Sequence, residues 1–365
     1  MHTHSQRLER WLGTDVVEGL SRSVRDWYGP PIALANVPGL VYATRGGDFV
    51  GPIRGGYFSN FYDYASQRAR RIARHTLRTR HGVLFAGFAS LSDLITEATT
   101  GGKSQHHPFT IAGAAGVIAR SNSTWGVGSW PPIGAAGGTA GTGAVCTRTT
   151  VGALSQANAG AGDQLHITTI TLQSSIAGQI LMLYDRLWHM THTMTVDPQA
   201  VDTANVPNRY NAAGTAPGNF ITGHVTTVLP AATPTITFTY VDQDGNAAAA
   251  GPAFSTIASA AAVQTIPFTA PNWFYPITAG DSGVRSITNV DLSAAMASGV
   301  VTWCIGHPLA LIPIGAANTP VILDGINSAF NLERVYDNAC LTFLELCKSA
   351  TTATNHWGSI RMVSG

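Results

Sequence analysis

The sequence predicts a mainly β protein: an antiparallel β-sandwich or jelly roll, preceded by a partly helical, irregular N-terminal segment and a Gly-rich arm. Three observations carry that expectation. About nine short apolar or β-branched runs lie between residues 163 and 365. Gly, Pro and Asn/Asp turn signals separate them, and the long helical patterns needed to cross between parallel strands are missing from this half. The chain has 365 residues, more than the roughly 250–300 that one hydrophobic core usually organises.

The elements follow in order. In residues 5–28, Leu8, Trp11, Leu12, Val16 and Leu20 recur at helical spacing, and Pro30-Pro31 ends the pattern. Residues 29–56 read as irregular. A second helix is expected over 57–80, where Phe58, Phe61, Tyr62, Ala65, Ala69 and Ile72 form a stripe. Arg71, Arg74 and Arg78 lie on another face, with Arg68 and Arg70 nearby. Residues 83–98 suit a third helix or a strand plus helix. These pieces define an N-terminal docking segment, 1–110.

Residues 111–162 contain 12 Gly, and only Arg120 and Arg148 are charged. The run Gly137-Gly138-Thr139-Ala140-Gly141-Thr142-Gly143 favours neither helix nor a well-packed strand, so the stretch reads as an arm or linker. From 163 to 365 the strands begin. Expected strands are 165–172, 179–188, 220–229, 235–241, 262–269, 284–292, 300–306, 340–347 and 357–363. The clearest is 235–241, where Ile236, Phe238 and Tyr240 alternate with threonines before an Asp244-Gly245 turn.

Composition narrows the function classes. Hydrophobic residues make up 45% of the chain and charged residues only 11%. A surface so poor in charge is more comfortable when partners cover it. Net charge is +1, which argues neither for nucleic acid nor for a membrane surface. Residues 1–80, however, hold 12 basic against 6 acidic residues, all the basic ones being Arg. Arg suits fixed, several-donor contacts. The stripe Arg68, Arg70, Arg71, Arg74 and Arg78 is therefore the candidate partner contact, either to an acidic protein surface or non-specifically to nucleic acid. No run approaches the ~20 apolar residues that cross a bilayer as a helix. Met1–Arg10 lacks the apolar core of a secretory signal, giving the expectation of a protein kept in the cytoplasm or in a particle assembled there.

Candidate chemistry is thin. Gly101-Gly102-Lys103-Ser104 resembles the end of a phosphate loop, but Glu97 stands where its first Gly belongs. Gly126-Val127-Gly128-Ser129-Trp130 lacks the second Gly of a hydrolase elbow. His106-His107 and His189-x-x-His192 are the best metal-ligand candidates, yet on a strand each pair diverges to opposite faces. Cys146, Cys304, Cys340 and Cys347 have no zinc spacing and read as buried, reduced thiols. Asp185 and Arg186 interrupt an apolar strand and must be paired or terminal; Arg285 could pair with Asp281 or Asp185. No catalytic residue, cofactor or metal is expected.

Several stretches carry a resemblance: Thr147-Arg148-Thr149-Thr150 with Gly152-Ala153-Leu154, Leu183 to His189, Ala279 to Ile287, Leu309 to Ile314, and Tyr336 to Leu341. In this order they resemble a conserved family of tailed-bacteriophage virion structural proteins. The resemblance implies a virion component without catalytic residues, binding the major capsid protein or other virion subunits. Its expected role is capsid cement or decoration, as a homo-oligomer with a trimer favoured. The alternatives are a tail, neck or baseplate component, and a receptor-binding or glycan-cleaving protein at the tail tip.

Overall fold

A computed structural model describes residues 87–365 except 100–101, 117, 119, 128–129, 203–205, 208, 211–215, 248–249, 256–272, 327–331 and 351. Ahead of these it describes only β1 (Tyr42–Ala43) and β2 (Phe49–Val50). Those two strands pair antiparallel in a compact unit of their own, Met1–Leu84. The helices expected at 5–28 and 57–80, with the Arg68, Arg70, Arg71, Arg74 and Arg78 stripe, lie outside the described residues, as does the strand expected at 262–269.

The second unit, Phe85–Gly365, is mainly β. It opens with a helix, α1 (Leu91–Thr99). Ser90 Oγ accepts the Asp93 N–H at 3.1 Å, and the Asp93 carboxylate accepts the Ala89 N–H at 2.9 Å. That reciprocal cap explains where the helix starts. Its buried Leu94 packs with Phe88 and Val363.

The strands then follow. β3 (Ser104–Ala115), β4 (Ser121–Ser123) and β5 (Ala144–Val145) precede β6 (Leu165–Ser174) and β7 (Gln179–Thr193). Next come β8 (Gln199–Ala200), β9 (Phe220–Thr227), β10 (Thr235–Asp242), β11 (Phe254–Ser255) and β12 (Val284–Leu292). The last are β13 (Val300–Ile314), β14 (Val321–Asp324), β15 (Arg334–Val335), β16 (Leu341–Cys347) and β17 (Ala353–Ser364).

These strands make three sheets. The central one runs β4-β16-β7-β13-β9, with β5 also on β7. The second runs β14-β6-β17-β3, with β15 on β6, and the third runs β11-β10-β12-β8. Every pairing between these strands is antiparallel. The mainly β, antiparallel class read from the sequence is therefore the one observed.

Two cores share the central sheet. Leu181, Leu183, Ile312 and Phe343 pack with Ile167, Ile170, Leu172, Ile360 and Met362 of the second sheet. Met190, Val301, Trp303 and Ile305 pack with Ile236, Phe238, Ile287 and Val290 of the third. The long strands β7 and β13, 15 residues each, make this possible: at ~3.3 Å per residue they run about 50 Å. A buried polar cluster joins the central and second sheets. Glu345 Oε1 accepts from Thr354 Oγ1 at 3.1 Å and lies 3.4 Å from His356 Nε2, with Glu345 and His356 fully buried.

The domain boundaries expected at 110 and 162 differ from this arrangement. A cut at 110 would divide β3, which pairs along β17 from Ser104 to Ala115. Residues 111–162 are built into the same compact unit as the strands that follow, and hold buried Ile111, Trp125, Cys146 and Leu154. The physical reason lies in what the glycines do. A Cβ on Gly134 would sit 2.1 Å from the Trp125 ring, and one on Gly143, at φ +68°, 2.3 Å from the Trp188 indole. At these two positions glycine allows close approach of backbone to an aromatic ring, a use composition cannot distinguish from chain freedom.

Candidate functional site

The centre of interest is the middle of β7, where the sequence Tyr184-Asp185-Arg186-Leu187-Trp188-His189 puts an acid and a base inside a hydrophobic strand. Both charges are buried, and each must be compensated where it stands. Asp185 is held bidentate by Arg209, with Nε–Oδ2 and Nη2–Oδ1 both 2.8 Å, and its Oδ1 accepts the Cys340 N–H at 2.7 Å. Burial pushes the Asp185 carboxyl above its ordinary value, against the pull of Arg209. Arg209 Nη2 also donates to the Cys146 carbonyl at 3.1 Å. One guanidinium thus ties together β7, the chain entering β16 and the chain leaving β5.

The expected partner of Asp185 or Asp281 was Arg285. The structure assigns Asp185 to Arg209, while Asp281 accepts a short hydrogen bond from the Tyr240 hydroxyl. Nothing in the surroundings of Arg209 marks it in sequence, because it sits between strands where no period applies.

Arg186 points into a different environment. Its guanidinium carbon lies 4.5 Å from the centre of the Trp125 ring. Nη1 donates to Tyr184 Oη and Nε to His189 Nδ1, both at 3.3 Å. Nη2 makes no hydrogen bond among the described residues. The Cys146 and Cys340 thiols lie in the same region, in one cluster with Trp125 and Ala153.

The other flagged residues are accounted for individually. His189 and His192 diverge, as the strand period requires: His189 meets Arg186 and the Trp125 edge, and His192 accepts from Trp303 Nε1 at 3.1 Å. His107 Nε2 lies 3.1 Å from Gln105 Oε1. Lys103, the lysine of the phosphate-loop fragment, is engaged by Asp163 at 2.9 Å and Glu97 at 3.5 Å. All four cysteines are buried, and no disulfide joins them. Among the described residues no three His, Cys, Asp or Glu side chains are grouped as a metal site.

Two surface features remain. An open, largely apolar groove of about 450 Å³ is lined by Asn219, Phe220, Trp273, Phe274, Tyr275 and Ser282, among others. The second feature belongs to the glycine-rich stretch. Its inner side carries buried Trp125, Cys146 and Ala153, whereas Trp130 is 62% exposed, Ile133 61% and Val151 56%. Ile133 and Val151 are held near each other, because Gly134 N donates to Trp125 O at 2.8 Å and Ala135 N to Val151 O at 2.8 Å. No charged residue occurs from 121 to 147.

No family model matches the chain, and no curated protein matches it. Solved structures similar to it include the infectious bursal disease virus VP2 subviral particle, at 10% identity and TM-score 0.16, covering 71% of this chain and 80% of that one. Structures of the Gt and Gx strains of infectious bursal disease virus stand at 11% and 12% identity, each with TM-score 0.15, covering 71% and 72% of this chain and 80% of theirs. At that TM-score the likeness carries no argument.

Proposed function

We propose that the protein is a non-enzymatic structural subunit of a virus particle, in the tailed-phage setting a capsid cement or decoration protein that binds neighbouring subunits. The observation that carries this reading is the pairing of a pinned backbone with outward-facing apolar groups at Trp130, Ile133 and Val151. Large apolar side chains at 56–62% exposure, Trp130 and Ile133 of them on an uncharged segment, cost solubility without stabilising the fold. They gain free energy when another surface covers them, and a fixed backbone keeps the ordering cost of that step low.

The test is the Trp130→Ser/Ile133→Ser double variant. Its melting temperature should stay within about 2 °C of the parent. Its self-association in sedimentation, or its incorporation into particles, should fall at least tenfold. Unchanged incorporation would overturn the reading. Quantitative mass spectrometry of purified particles then separates a many-copy capsid decorator from a few-copy neck or tail component.

A second reading, glycan binding at a tail tip, has the aromatic groove in its favour, since Phe220, Trp273 and Phe274 flank polar Asn219 and Ser282. Tryptophan fluorescence titrated with host-envelope oligosaccharides tests it; a saturable change abolished by Trp273→Ala would favour this reading over the first.

A further inference from the structure

Two of the four buried thiols are placed differently from the rest. β13 occupies one edge of β7 along its whole length. The other edge is shared end to end by two strands: β16 pairs with Gln179–Asp185, and β5 pairs with Trp188 and His189. Cys340 and Cys146 stand at the junction between them. Arg186 N donates to Cys340 O at 2.9 Å, and Cys146 N donates to Leu187 O at 3.0 Å. The two residues face successive positions of one strand from the same side. Arg209 fixes both, directly at the Cys146 carbonyl and through Asp185 at the Cys340 N–H.

Their side chains meet. Both are fully buried in one cluster with Trp125 and Ala153, where the Cys340 thiol acts directly on Cys146. The chemistry around them is asymmetric. Burial pushes the Cys146 thiol up, but the Cys340 thiol, His189 and Arg186 outweigh it and hold Cys146 well below the ordinary thiol value. Burial, together with the Cys146 thiol, holds Cys340 well above that value. The other two cysteines are set differently. Burial raises Cys304 to about 11, and Cys347 Sγ accepts from Asn122 Nδ2 at 3.3 Å.

We propose that Cys146 and Cys340 are a built redox pair, Cys146 the attacking thiol and Cys340 the resolving one, which a small disulfide oxidant closes into a bond fastening the glycine-rich segment to the start of β16. The Cys146 thiolate attacks one sulfur of the oxidant, forms a mixed disulfide and expels one thiolate. Cys340 then loses its proton and attacks the Cys146 sulfur, expelling the second thiolate. Two protein thiols are oxidised to one disulfide, and one oxidant molecule is reduced to two thiols. Arg186 favours the attacking anion electrostatically, in the way low-value thiols are generally activated. Because both sulfurs are buried, the reaction proceeds through local opening of the covering segment.

The experiment uses the full chain, reduced and then held with glutathione disulfide in urea below the unfolding midpoint. After quenching, denaturation and alkylation, non-reducing peptide mapping reads the linkage. The expected product is a single disulfide between Cys146 and Cys340, with Cys304 and Cys347 alkylated. Four alkylated thiols, or a disulfide involving Cys304 or Cys347, would overturn the assignment. Two variants separate the roles. Cys340→Ser should retain one glutathione on Cys146, and Cys146→Ser should leave Cys340 unmodified; the reverse pattern would overturn the division of roles. Wild-type mapping stands by itself should either variant fail to fold.

Discussion

Removing the guanidinium that holds Asp185 gives the sharpest test of how the central sheet is organised. Arg209→Met preserves most of the side-chain volume but leaves the Asp185 carboxylate fully buried and without a cationic partner, the Cys340 N–H still donating to it. Breaking a buried pair by deleting one partner costs about 3–5 kcal/mol, because the other charge stays desolvated. Against a total stability of about 5–15 kcal/mol, that is a large share. The deficit should depend on pH. Burial already holds Asp185 above the ordinary carboxyl value despite Arg209, and loss of Arg209 raises it further. The folded variant then binds a proton that the unfolded chain, titrating near pH 4, does not. Where the folded state binds more protons, stability rises as pH falls. The deficit relative to wild type should therefore be smaller at pH 5 than at pH 7.5. Adding Asp185→Asn removes the charge, keeps an acceptor for Cys340 and should bring the loss to about 2 kcal/mol or less. Urea unfolding at the two pH values, followed by tryptophan fluorescence, measures all three. An equal deficit at both pH values, or no recovery in the double variant, would refute the reasoning.

Gly143→Ala should cost about 2–4 kcal/mol, from a left-handed φ plus overpacking against Trp188, whereas Gly162→Ala, left-handed but with open space, should cost about 1 kcal/mol; thermal unfolding compares them. Burial lowers His307 to about 4, so the unfolded chain takes up this proton first as pH falls below about 6.5. Stability should accordingly drop by about 2–3 kcal/mol between pH 6.5 and 4, and His307→Gln should flatten that part of the pH profile measured by urea titration. Thr354→Val removes the hydroxyl that donates to Glu345 Oε1 and should destabilise by about 1–3 kcal/mol, measured by the urea midpoint. Limited proteolysis should cut the isolated protein slowly within residues 130–154, because that segment is packed and not a free arm; rapid cleavage there would contradict its placement.

The strands were the legible part. β10 and β12 begin where expected, at Thr235 and Val284, because alternation and turn residues are local signals. β13 runs on to Ile314, past the expected end at 306. Gly306 and Pro308 look like punctuation, but register shifts there absorb them within the strand. The buried thiols and the divergence of His189 from His192 also followed from residue type and period. The glycine-rich stretch was misjudged because a glycine that frees the chain and one that admits an indole ring look the same in sequence.

Short alternating strands separated by turn residues settled that this chain forms antiparallel sheets, since both signals are local to a few neighbouring residues. Which charge meets which, and that Cys146 and Cys340 end up side by side, depended on contacts between residues far apart in the chain. Asp185 finds Arg209, and Arg186 finds Trp125, because burying a charge in a central strand leaves it only the partners that folding brings within about 3–5 Å. No sequence pattern records that list; the packing of β5 and β16 against one edge of β7 writes it.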